Sequence, residues 1–322
     1  MRFYNMRRVL FFVLLLIIYM PAMAQNDGNR SMYWAVPTEF NPSMAGCDSA
    51  MHVSASNRQQ WVGVENAPQT SFISADMPFK FRGIRQGVGV SILNDQAGLF
   101  STTITSAQYS YSKTVCGGRL ALGAQLGMIN QKFDAGGIYI PDGDAWNPSD
   151  EALPSGDVSG TSLDLGLGAY FEKNIAGRTY YAALSLMHLN QATIDLEEYA
   201  YYQQKRTYYF LAGGNIPLTR TLFILQPSLL VKSILQTTQV DVTLRATYDN
   251  RFFGGLSYRH GDAIVLMAGA EIKSIRLGYS YDIGTSALAR ASNGSHEIMM
   301  SYLVKMDLDK NKKHPKKSIR IL

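Results

Sequence analysis

The sequence predicts an all-β protein, an antiparallel outer-membrane β-barrel of about 14 strands that follows a cleaved signal peptide. Three observations predict it: an export signal at the start, long segments of strict apolar/polar alternation, and connections that alternate between long and tight. Arg2, Arg7 and Arg8 precede an apolar run from Val9 to Tyr19, and Pro21-Ala22-Met23-Ala24 supplies a small-residue cleavage site. The run is short for a helix that spans a bilayer, which takes roughly 20 apolar residues. No Cys follows it at once, which argues against lipoprotein processing.

The alternation is clearest where Leu120, Leu122, Ala124, Leu126 and Met128 interleave with Ala121, Gly123, Gln125 and Gly127. It recurs where Val240, Val242, Leu244, Ala246 and Tyr248 interleave with Asp241, Thr243, Arg245 and Thr247. Side chains of a strand point alternately to its two faces, so each segment has one oily face and one small or polar face. A soluble sandwich would show the same period. Length separates the two, because transmembrane strands take about 9 to 11 residues and globular ones about 5 to 6. The candidate strands fall near residues 49–57, 70–80, 85–94, 100–112, 118–132, 161–171, 179–190, 206–214, 222–235, 238–248, 251–259, 262–271, 274–281 and 295–304. An even number closes with both strand termini on one side. Long connections (58–69, 134–160, 191–205, 282–294) alternate with tight ones such as "KNIAGR" and "YDNR", although the connections at 236–237 and 260–261 are short.

The expected layout is a signal peptide at 1–24, an N-terminal periplasmic segment at 25–48, the barrel at 49–304 and a basic periplasmic tail at 305–322. The formal net charge of +5 is uneven: the signal and the tail carry the excess, and Gln25 to Val304 is about −3. Nucleic acid is therefore not an expected partner. The tail, with Lys312, Lys313, Lys316, Lys317 and Arg320, is either a solvated end or a contact for an anionic partner. Of the 19 Tyr, many sit near strand ends (Tyr109, Tyr111, Tyr180, Tyr181, Tyr208, Tyr209, Tyr258, Tyr279, Tyr281, Tyr302). This suits the aromatic girdles of a membrane barrel, with β-propensity as the plainer account.

Catalytic motifs are missing. "SHEI" at 295–298 turns His296 and Ile298 to the lipid side, away from Glu297, and His52 and His188 stand isolated in sequence. No H-E-x-x-H, G-x-S-x-G, Walker A or G-x-G-x-x-G occurs, and the two cysteines, Cys47 and Cys116, make no Cys-x-x-Cys. No enzyme, cofactor or metal is expected. The loop 134–160 holds six carboxylates and no Lys or Arg, but its EF-hand spacing fails at Trp146. Topology places both cysteines on one side, which leaves a disulfide and two free thiols both open.

The stretches "NPSMAG" at 41–46 and "NRQQWVGVENAPQTSFISADMPF" at 57–79 carry a resemblance, together with "GVGVSILNDQAG", "YRHGDAI", "IRLGYSYD", "GSHEIMMSY" and the terminal "PKKSIRIL". In this order they resemble the PorP/SprF family of outer-membrane proteins of the Bacteroidetes type IX secretion system. The resemblance implies a non-enzymatic barrel in the cell outer membrane that supports export or surface anchoring of a large secreted protein or adhesin, in gliding bacteria as part of gliding motility. It implies outer-membrane lipid, periplasmic peptidoglycan-associated secretion proteins and a large exported surface protein as partners. Candidate partner contacts are Trp61, the outward residues Asp142, Asp144, Trp146, Tyr199, Tyr201 and Tyr202, and the basic tail residues. Trp61, in the first outward connection, is expected to brace the rim. The alternative is a passive porin or transporter, with Asp241, Arg245 and Arg276 lining the pore; many inward positions, being Gly, Ala or Ser, speak against it.

Overall fold

The computed structural model describes residues 28–134, 157–197, 200–286 and 292–308. Fourteen antiparallel strands form a closed barrel. They are β1 (Ala50–Gln59), β2 (Gln69–Phe81), β3 (Ile84–Ala97), β4 (Phe100–Val115), β5 (Gly118–Phe133), β6 (Val158–Ile175) and β7 (Arg178–Met187), then β10 (Thr207–Pro217), β11 (Phe223–Ser233), β12 (Thr238–Tyr248), β13 (Phe252–Arg259), β14 (Ala263–Ile272), β15 (Ile275–Gly284) and β16 (Ser295–Lys305). Between β7 and β10 a separate hairpin, β8 (Thr193–Glu197) and β9 (Ala200–Gln203), occupies the connection that the sequence reads as a plain loop. The first and last strands close the wall, with Ala50 opposite Lys305 and Gln59 opposite His296. Closure pairs each strand on both edges, the condition for a sheet to stand in hydrocarbon.

The period-2 pattern maps onto the wall as expected. Leu122, Leu126 and Met128 of β5, Val242 and Leu244 of β12, and Ile298 and Met300 of β16 are all exposed on the outside. Gln125, Asp241, Thr243 and Glu297, which alternate with them, are buried in the lumen. So continuous an apolar exterior would be untenable in water and matches a lipid environment. The tyrosines divide. Tyr109, Tyr111, Tyr180, Tyr258, Tyr279 and Tyr302 are exposed on the outside, but Tyr209 is buried and Tyr181 packs against the inner core. Neighbouring residues of a strand cannot share a face, so the pairs 180/181 and 208/209 each send one ring inward.

At one mouth, the turn end, strands reverse through two-residue turns. Arg82-Gly83, Cys116-Gly117 and Ala176-Gly177 all have positive φ at both positions, the backbone of a type I′ hairpin. The other mouth, the loop end, carries the long connections.

Residues 28–48 overturn the expected layout. They do not lie outside the barrel but run through its lumen from the loop end to the turn end. Gly28 lies beside Thr70 and Asp95 at the loop end, and its carbonyl accepts a hydrogen bond from Lys232 Nζ at 3.3 Å. At the other mouth, the Gly46 N–H donates to Asp76 and Arg85 donates to the carbonyls of Gly46 and Asp48. Between these points the chain makes three short 3-10 turns at Tyr33–Ala35, Pro37–Glu39 and Pro42–Met44. Pro37 and Pro42 suit the first position of such turns, where an N–H would be unpaired. The Asn41 side chain caps the third turn by accepting from the Ser43 N–H at 2.9 Å. The core of the protein is thus the interior of the barrel, with Tyr33, Val36, Phe40 and Met44 of the segment packed on Phe72, Tyr170, Tyr209 and Leu230 of the wall.

Candidate functional site

The filled lumen is the candidate functional site, because a barrel works through what its interior lets pass or holds. Two inward glycines make room for the segment. A Cβ on Gly123 of β5 would overlap the Ser43 backbone, and one on Gly168 of β6 would overlap the Asn41 amide. The inward Gly and Ser that argued against a pore are therefore contact positions. The amide of Asn41 donates to the carbonyls of Ala169 (3.2 Å) and Leu184 (2.9 Å). Gln108 donates to Thr38 O, Ser185 to Phe40 O and Ser110 to Ala45 O. "NPSMAG" is thus an interior element, and Gly46, at φ +61°, turns the chain where a Cβ would come within 2.8 Å of Met77 O.

A second group of contacts is ionic and sits toward the loop end. Glu297 of β16 accepts the backbone N–H groups of Ser31 (2.7 Å) and Met32 (3.2 Å). Asp282 of β15 accepts from Ser31 Oγ at 2.7 Å and pairs with Arg58 at 2.7 Å and Arg259 at 2.9 Å. Arg259 also pairs with Asp241 and Asp262, and donates to Arg30 O. All these side chains except Asp262 are almost fully buried. Buried charges are tolerated only when paired and hydrogen-bonded, and each here meets an opposite charge from another strand with Ser31 in the middle. Arg30 reaches Glu39 within the segment, so the lock includes an internal strut.

The remaining space is small near the loop end and larger near the turn end. A cavity of about 50 Å³ lies beside Gly28, Glu39 and Phe72. A vestibule of about 290 Å³ opens at the turn end beneath Trp34, Met44 and Cys47, between Asp76, Glu172, Arg245 and Arg276. Above, the β8–β9 hairpin buries Ile194 at the mouth, against the Gly160 position of β6.

The histidines are not isolated. His188 pairs with Asp164 at 2.8 Å inside the barrel, and His52 with Asp48 at 2.7 Å at the turn end. His296 lies on the outer wall, its Nδ1 2.6 Å from the Tyr279 hydroxyl, while Glu297 faces inward, as the alternation requires.

Trp61 is half-buried in the β1–β2 connection at φ +51°. Its backbone N–H donates to Ser295 Oγ at 3.1 Å, and its neighbour Val62 makes two backbone hydrogen bonds, one to Gly294 and one from Asn293. The β1–β2 connection is thereby stitched to the start of β16, the strand that closes the barrel, and to the two residues before it. Because those contacts are made by the backbone, Trp61→Ala tests only the half-buried indole. It is expected to lower the urea midpoint modestly, by about 1 kcal/mol of stability, with the barrel still closed, and an unchanged midpoint would leave the bracing to the backbone alone. Tyr201 is exposed and Tyr202 half-buried on β9. Asp142, Asp144, Trp146, Tyr199, Lys312, Lys313, Lys316, Lys317 and Arg320 lie outside the described residues.

Cys47 and Cys116 are both free. Burial, then the neighbouring Asp48 carboxylate, pushes the Cys47 thiol up to about 12, so it stays protonated and slow to react. A maleimide at neutral pH should label Cys116 readily and Cys47 slowly, with both thiols titratable in unfolded, unreduced protein. Finding none there would establish a bridge.

The sequence profile of the type IX secretion system membrane proteins PorP/SprF matches residues 22–302. The chain belongs to the PorP/SprF family. Comparison with curated proteins finds no match. Among solved structures, the barrel is similar to the Ralstonia pickettii toluene transporter TbuX, with a TM-score of 0.55, 9% identity, and coverage of 85% of this chain and 94% of that one. The Pseudomonas putida toluene transporter TodX is a weaker likeness, with a TM-score of 0.47, 9% identity, and coverage of 87% and 95%. The likeness to TbuX shows the fold, an outer-membrane barrel. Family and fold together place this PorP/SprF member in the outer membrane, as a secretion-system component of a family that is not one of enzymes.

Proposed function

We propose that this PorP/SprF barrel is a closed platform of the secretion system rather than a channel. In this reading it supports export or surface anchoring of a large secreted protein at its loop end, and it contacts periplasmic, peptidoglycan-associated secretion proteins through its turn end and basic tail. The observation that carries the reading is the lumen filled by residues 28–48 and locked by the charges around Ser31. A passive porin needs a water-filled path, and here the interior positions that would line it hold the chain's own backbone. Outer-membrane barrels present short turns to the periplasm and long loops outward, which orients the two mouths.

Planar-bilayer recording of the intact protein should give no steady open state; a large persistent conductance would restore the porin reading. Deleting residues 310–322 should abolish capture of periplasmic secretion proteins while leaving the heat-modifiable barrel intact. Undiminished capture would sink the role of the tail.

A further inference from the structure

The inward arginines Arg30, Arg58, Arg119, Arg259 and Arg276 each reach a carboxylate. Arg245 of β12 does not: among the described residues its guanidinium makes no hydrogen bond and no ion pair. It is instead clamped face-on to an aromatic ring, 3.4 Å from the Trp34 ring centroid, and Trp34 in turn meets Phe253 edge-on at 5.1 Å. Stacking satisfies the face of a guanidinium and leaves its in-plane N–H donors unused. It also holds the plane fixed, so less freedom is lost when a planar acceptor meets it.

The surroundings point the same way. Arg245 lines both the turn-end vestibule and an adjoining cleft of about 250 Å³, which Arg251, Arg276 and Lys305 also line. The acid in that cleft, Glu271, is already taken by Arg276 at 2.7 Å. Gln226 and Thr247, also lining the cleft, bond to each other at 2.8 Å and do not turn to Arg245. A ring-clamped guanidinium without an acceptor, facing a basic cleft open at one mouth, is a preformed anion site.

We infer that the turn-end mouth binds a carboxylate of an acidic protein segment, held in the plane of the Arg245 guanidinium on its Trp34 backing, with Arg251 and Lys305 flanking the approach. A planar two-oxygen acceptor matches the fork of the guanidinium, and a flanking row of cations suits an extended acidic peptide better than a lone small ion. The inference deepens the platform reading and rests on it for the side from which the partner comes. Its test is independent, because a platform without this site would still be closed to ions.

The test is fluorescence anisotropy of labelled hexaglutamate added to the full-length protein in detergent, at constant ionic strength. Saturable binding is expected, weakened about tenfold by Arg245→Lys, which keeps the charge and loses the planar fork. Thr247→Glu, two residues along the same inward row, should weaken it comparably by supplying an internal carboxylate. The basic tail is identical in all three proteins, so tail binding would not distinguish them. No saturable binding to the intact protein would overturn the site, as would a variant that binds the peptide as tightly as the intact protein does. Inorganic phosphate displacing the peptide at concentrations where acetate does not would overturn the carboxylate assignment in favour of a phosphate group.

Discussion

A chain lacking residues 28–47 is expected to conduct ions steadily in planar bilayers where the intact chain does not. The deletion removes Tyr33, Val36, Phe40 and Met44 from the centre of a 14-stranded barrel and leaves the strand pairing untouched. The wall groups that faced the segment, among them Gln108, Asp241, Thr243, Asp282 and Glu297, are polar and would be hydrated rather than collapse on one another. Gly168→Leu should reproduce part of the effect without shortening the chain, because its side chain would occupy the place of the Asn41 amide. If the deleted protein folds to the heat-modifiable form and still passes no current, the segment is not what closes the barrel.

The second large effect is expected at the ionic lock. Asp282→Ala removes the acceptor shared by Ser31, Arg58 and Arg259 and leaves two buried guanidinium groups with fewer counter-charges. Removing one partner of a buried ion pair costs about 3–5 kcal/mol. The change should appear as a lowered urea midpoint together with new protease cleavage within residues 28–48. Asp282→Asn, which keeps an oxygen acceptor for Ser31 and Arg58 and loses only the charge, should cost less than Asp282→Ala. An Asp282→Ala protein with unchanged midpoint and an uncut N-terminal segment would mean that packing on the glycines, not charge, holds the plug.

Much of the wall was legible in the sequence, because a strand with lipid on one side and a polar interior on the other must alternate. The fourteen strands, the outward Leu122 and Ile298, and the inward Glu297 follow from that period alone. The plug was not legible for a physical reason. Residues 28–48 have no period of their own, since they are buried on all sides by a wall that only the folded barrel provides, and three short turns leave no pattern. Polar inward residues are equally what a pore and a plugged lumen require, so Asp241 and Arg245 could not decide between them. The ion pair of Arg58 with Asp282 and the hydrogen bond of Ser31 to Glu297 join residues 224 and 266 positions apart, respectively, and only strand register brings them together. Adjacent tyrosines misled in a simpler way: each pair must split between faces, and the period that found the strands already implied it.

The course of the plug changes what the two ends of the barrel can sense. An even number of strands would put the chain before β1 and the chain after β16 at the same mouth, yet Gly28 lies at the loop end and Lys305 at the turn end. The segment enters the lumen at the turn end, from the strand that makes the seam with β16, and runs back through the barrel which that seam closes. One covalent segment thus links the two mouths inside the closed barrel, so a pull at either mouth is felt by the wall at every point where Ser31, Asn41 and Gly46 tie the segment to it.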